Sequence, residues 1–147
     1  AARLKDNRLA NVTVSWSPFD KLDAADASVD VVTWFQGPHE LYCAKACGNA
    51  VMGDAAKSFA EVARILKPGG SFIIMDHVAP AGTPTTSVND LHRIDPLPVK
   101  AMATTAGFAL DEESTLLANP ADDHTKGVFD PAVQGKTDQF LLRYKKP

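Results

Sequence analysis

Three histidines, His39, His77 and His92, carry side chains that titrate near neutral pH, so they are the residues best suited to take up or hold a proton. Each has an alternative role as a hydrogen-bonded structural histidine. His77 is the strongest candidate base, because Asp76 and His77 close the apolar run from Ser71 to Met75. Leu91-His92-Arg93-Ile94-Asp95 sets three ionisable groups beside two apolar ones. That density suits either a substrate-facing loop, with Arg93 and Asp95 binding the substrate, or an internal Arg93–Asp95 ion pair. Lys136-Thr137-Asp138 has the same two readings, with Lys136 as the substrate-binding group. Asp122-Asp123-His124 suits a cation or plain solvation.

Cys43 and Cys47 would share one face of a helix, with His39 one turn further back, which is a metal-ligand pattern. A closed zinc site needs four ligands, however, and no second pair of ligands follows at short spacing. Two small, half-buried side chains fit better. No residue is assigned as a metal ligand. A metal-dependent enzyme built on His39, His77, His92 and their neighbouring carboxylates remains as an alternative.

The elements that must position these groups alternate between strand and helix. Arg3 to Leu9 reads as the tail of a helix, and Asn11 to Trp16 alternates like a strand closed by Ser17-Pro18. Val29 to Phe35 is a nearly continuous apolar run of the kind buried in parallel sheets, ended by Gln36-Gly37-Pro38. Asp54 can cap a helix with Phe59, Val62, Ala63, Ile65 and Leu66 at helical spacing, which Lys67-Pro68-Gly69-Gly70 stops. A short strand from Ser71 to Met75 follows. A loop from Ala79 to Ser87, a helix from near Pro98 to Gly107, a strand from Phe108 and a last strand from Gln139 to Tyr144 complete the order.

At 147 residues and 45% hydrophobic, the chain has the size of one domain, residues 1–147. Fifteen basic against 18 acidic residues, with no block of either sign, disfavours nucleic acid as a partner. No apolar run approaches a membrane span, and two cysteines suit a reducing compartment, so the expected location is cytoplasmic.

The ordered run Phe59 to Ile74, with its helix, Lys-Pro-Gly-Gly turn and strand, resembles the second half of a class I S-adenosylmethionine-dependent methyltransferase. Val29 to Phe35 resembles that family's fourth strand, and Ala106-Gly107-Phe108 the entry to its final antiparallel pair. A subgroup of poorly characterised bacterial methyltransferases is resembled through Asp76-His77, Leu91 to Asp95, Asn119 to Asp123 and Gly135 to Phe140. The resemblance implies an α/β fold: a partial Rossmann-like doubly wound sheet, mostly parallel with a C-terminal antiparallel strand, lacking the first two strands. It also implies an S-adenosylmethionine cofactor and a small-molecule acceptor. On that reading Trp16 and Ser17 approach the cofactor's adenine, and Phe35 and Gln36 border the methyl donor.

The family's glycine-rich turn and ribose-gripping acid have no counterpart, since no G-x-G pattern occurs. The expectation is therefore an N-terminally truncated methyltransferase part whose cofactor binding is weak. A non-catalytic remnant or interaction module is the alternative. The apolar edge left at Val29 to Phe35 would pair with Val12 to Trp16 or with another chain, giving a homo-oligomer.

Overall fold

A computed structural model describes residues 9–43 and 52–147. The expected helix from Arg3 lies mostly outside this range, as does Cys47. Four strands form one sheet: β1 (Val29–Phe35), β2 (Leu66–His77), β3 (Ala109–Ser114) and β4 (Gln139–Lys145), in spatial order β1-β2-β4-β3. β1 and β2 pair in parallel, and β4 runs antiparallel to both β2 and β3. Three strands therefore point one way and the C-terminal strand opposes them. The helices are α1 (Ala55–Ile65), the single turn α2 (Val88–Leu91) and α3 (Pro96–Thr105).

Helix α1 begins because the Asp54 carboxylate accepts the Lys57 N–H at 2.8 Å, satisfying one of the free amides of the first turn. Its Ser58, Phe59, Val62 and Ile65 fall on one buried face. At its other end the Lys146 ammonium donates to the Ala63 and Leu66 carbonyls at 2.6 and 2.7 Å, so the penultimate residue of the chain caps the helix. The turn after it takes Gly69 at φ +77° and packs Gly70 where a Cβ would lie 2.8 Å from the Lys67 carbonyl oxygen. There the register with β1 jumps, from Val29 opposite Leu66 to Val31 opposite Ser71. The strand expected at Ser71 to Met75 is thus longer at both ends.

Alternation along the strands puts Trp34, Phe72, Ile74, Phe140, Leu142 and Tyr144 on one face, where they bury with Phe59 and Val62 of α1 and Val99 and Ala103 of α3. The opposite face presents Val31 and Phe35, each 52% exposed. Arg64 ties the segment before β1 to α1, bonding Glu61, Asp26 and the carbonyls of Leu22 and Ala24. Those bonds hold the Glu61 carboxyl down at about 2, with the Arg64 guanidinium the largest cause and the Leu22 N–H next.

Two expectations are corrected. Val12 to Trp16 is not a strand: it joins no ladder, and Val12, Val14 and Trp16 are 46%, 48% and 93% exposed. Among the described residues β1 pairs only with β2, so the direct pairing of these two segments does not occur. Helix α3 starts at Pro96 rather than near Pro98, because Asp95 caps it, its carboxylate accepting the Leu97 N–H at 2.9 Å.

Candidate active site at the strand ends

The C-terminal ends of β1 and β2 open on a cavity of about 160 Å³ lined by Gln36, His39, Glu40, His77, His92, Val128 and Phe129. Each side chain arrives there for a local reason. Gln36 follows β1, held at φ +51° with its N–H on the Met75 carbonyl at 2.7 Å. Gly37 follows with no room for a side chain, since a Cβ would sit 2.1 Å from Trp34 Nε1. The chain then folds into a single 3₁₀ turn, Pro38–Leu41, which carries His39 and Glu40.

Asp76, fully buried near the end of β2, receives three N–H groups. They are His39 Nδ1 at 2.7 Å, the His39 amide at 2.9 Å and the His77 amide at 2.8 Å. An ionised carboxylate only accepts, so Nδ1 of His39 carries the proton and its Nε2 is left as the basic nitrogen. His77 Nδ1 lies 2.7 Å from the Thr137 hydroxyl. A parallel bridge between Val78 and Ile94, with the Ile94 N–H on the His77 carbonyl at 3.0 Å, brings the segment after α2 alongside β2. His92, at φ +54°, caps α2 there. The imidazole of His39 lies 6.2 Å from that of His77 and 5.1 Å from that of His92, and His92 meets Phe129 edge-on at 5.0 Å. Burial lowers the pKa of both His77 and His92, and their imidazole neighbours add to the effect. The Cys43 sulfur lies 3.9 Å from His92 Nε2 and belongs to a disulfide.

The structure therefore brings His39, His77, His92 and Gln36 to one cavity. Phe35 stands one residue before it. Trp16 and Ser17 lie instead in an open hollow of about 580 Å³, formed by Ser15 to Asp20 with Met52 and Gly53. Lys136 is exposed on the loop before β4.

Arg93 and Asp95 do not face a substrate. Arg93 is fully buried, with a two-pronged bond to Asp122 at 2.9 and 3.1 Å and further bonds to the Val78 and Lys126 carbonyls. Its partner is Asp122 rather than Asp95. Burial alone would raise the Asp122 pKa, but the Asp138 amide, the Arg93 guanidinium and the His124 amide lower it overall. The Asp95 carboxylate is 4% exposed and occupied by the amides of Leu97 and Gly82. Both residues are structural because a buried guanidinium and a helix cap need all their bonds. No group of three or more His, Cys, Asp or Glu that could hold a metal ion occurs among the described residues.

Asp76 as the partner of His39 was not legible, although one carboxylate inside an apolar run is the signal that a buried partner exists. Glu40, Val128 and Phe129 carry no such signal.

A sheet whose first strands run parallel and whose last strand returns antiparallel, with ionisable groups gathered at the strand ends, is the fold of class I S-adenosylmethionine-dependent methyltransferases. A family model described as a methyltransferase domain matches residues 1–74, half of the chain, and the chain belongs to that family. It is 40% identical over 73 residues to dimethylglycine N-methyltransferase of Parasynechococcus marenigrum (strain WH8102), a match covering 48% of this chain and 21% of that protein. It superposes with a TM-score of 0.65 on a protein of Galdieria sulphuraria described as a sarcosine dimethylglycine methyltransferase, at 17% identity, covering 99% of this chain and 63% of the other. A SAM-dependent methyltransferase from Aquifex aeolicus gives a TM-score of 0.60 at 14% identity, covering 99% and 61%. The chain thus spans about a fifth of the curated relative and less than two thirds of these solved chains.

Trp16 and Ser17 line the open hollow, whereas Gln36 lines the histidine cavity. Trp16 is 93% exposed, the Ser15 and Ser17 hydroxyls lie 3.0 Å apart, and Phe35 is the last residue of β1. A glycine turn for the ribose and amino-acid end is not in the sequence.

Proposed function

We propose that this chain carries the acceptor side of an S-adenosylmethionine-dependent methyl transfer to a small molecule, with His39 as the base. The observation that carries this reading is the His39–Asp76 pair, 2.7 Å long and buried, at the end of two parallel strands in a cavity shared with Gln36. The cofactor supplies an electrophilic methyl group on a sulfonium. Trp16, Ser17, Phe35 and Gln36 would hold it. Asp76 fixes the tautomer and orientation of His39 and compensates the positive charge the imidazole gains, while the lowered pKa values of His77 and His92 disfavour a second charge beside it. Alignment of the acceptor against the methyl group supplies much of the acceleration.

We expect the 147 residues, which hold no G-x-G pattern, to bind S-adenosylmethionine weakly. Calorimetry should place the Kd near the millimolar range, and a micromolar value would overturn that expectation. Activity is therefore tested at millimolar cofactor, following S-adenosylhomocysteine release over a panel of small hydroxyl and amine compounds. Release that disappears in His39→Ala supports the reading. Release that His39→Ala leaves unchanged removes His39 from the chemistry.

A further inference from the structure

We infer that the acceptor taken by this cavity is a compact, uncharged, hydroxyl-bearing ring, methylated on oxygen, and not an amino-acid carboxylate of the kind named for the relatives. This rests on the methyl-transfer reading above and specifies its substrate class.

The charges on the cavity wall point that way. A glycine derivative brings a carboxylate, which needs a cation or several N–H donors when it leaves water. No lysine or arginine is among the described residues that line the cavity. The neighbouring guanidinium, Arg93, is fully buried and committed to Asp122 and two carbonyls. Among the described residues that line the cavity the only carboxylate is Glu40, which would repel a second one. Burial lowers the pKa of His77 and His92, which disfavours either one supplying the missing positive charge.

Size and wall chemistry narrow the class further. About 160 Å³ is close to the roughly 150 Å³ of an apolar protein cavity that accepts benzene. Three imidazoles and the Phe129 ring surround the space, and they present edges and faces that suit a flat ring. The base also distinguishes acceptors. A tertiary amine, protonated near pH 7, sheds its proton before it attacks, so it has none to lose in the transfer itself. A hydroxyl becomes a competent nucleophile as its proton leaves.

The step balances as follows. The acceptor oxygen forms a bond to the methyl carbon as the carbon–sulfur bond breaks, and its electron pair goes to sulfur, leaving a thioether. The hydroxyl proton passes to Nε2 of His39. The imidazolium formed is held by Asp76 and then releases its proton to water.

Two measurements on the 147-residue chain test this. The first titrates phenol, benzoate and dimethylglycine against the protein without cofactor, following the ring signals of His39, His77 and His92 by NMR. Phenol should bind at least tenfold more tightly than benzoate or dimethylglycine, and Glu40→Gln should narrow that gap. Equal or tighter binding of either carboxylate overturns the substrate class. The second measures methylation of phenol and of dimethylglycine at millimolar S-adenosylmethionine. Anisole formation supports the inference, whereas methylated dimethylglycine with no anisole overturns it while leaving methyl transfer standing. Preferential phenol binding with neither product formed places the failure in the methyl-transfer reading instead.

Discussion

His39 and Asp76 are bonded twice: the imidazole Nδ1 to one carboxylate oxygen at 2.7 Å, and the His39 backbone amide to the other at 2.9 Å. Ring and backbone are thereby locked to the same carboxylate, which lies near the end of the neighbouring strand. Asp76→Asn keeps the size but places an amide where two donors converge. The rate of methyl transfer should fall by about 100-fold or more, with circular dichroism unchanged. A variant that keeps its full rate would show that the pair is only structural.

Gly37→Ala tests the turn that delivers His39. The added methyl would meet Trp34 Nε1 at 2.1 Å, and the indole is packed between Phe19, Phe59 and Phe72 and cannot withdraw. Urea unfolding should show a loss of about 1–3 kcal/mol. An unaltered midpoint would show that the turn shifts freely.

Arg93→Met leaves the Asp122 carboxylate buried without its cation. The expected cost is about 3–5 kcal/mol. Adding Asp122→Leu should recover only part of it, because the amides of Asp138 and His124 also depend on that carboxylate. If Arg93→Met instead left stability intact and raised KM alone, Arg93 would be a substrate ligand after all.

Acid should unfold the protein in two stages. His77 and His92 have lowered pKa values, so the unfolded chain takes up protons first and stability falls as pH drops below the ordinary imidazole value of 6.5. Glu61 has its carboxyl held at about 2 against an ordinary 4.5, so its contribution is present above 4.5 and is lost as pH falls toward 2. Thermal melts from pH 8 to 2 should show both declines, with the lower one reduced in Glu61→Gln. A flat profile through both ranges would contradict the assignment.

Lys146→Met removes the ammonium from the Ala63 and Leu66 carbonyls at the end of α1. A destabilisation of about 1 kcal/mol is expected in denaturant melts. No measurable change would mean that water replaces the cap without loss.

The sequence by itself determined the local elements. Asp54 before an amphipathic stretch, Lys67-Pro68-Gly69-Gly70 after it, and the apolar runs of β1 and β2 each specify a start, a stop or a period through residues a few positions apart. It also placed His77 at a strand end and made His39 and His92 candidates. Pairing was decided by tertiary structure alone. Val12 to Trp16 has a strand's alternation, yet a strand exists only where a neighbour supplies its ladder. Proximity in sequence offers Arg93 the carboxylate of Asp95, two residues away, but Arg93 bonds Asp122 across 29 positions. The link from His39 to Asp76 spans 37, because parallel strands bring their ends together regardless of separation along the chain. A side chain's type states which bonds it needs, and the folded backbone decides which partners reach it.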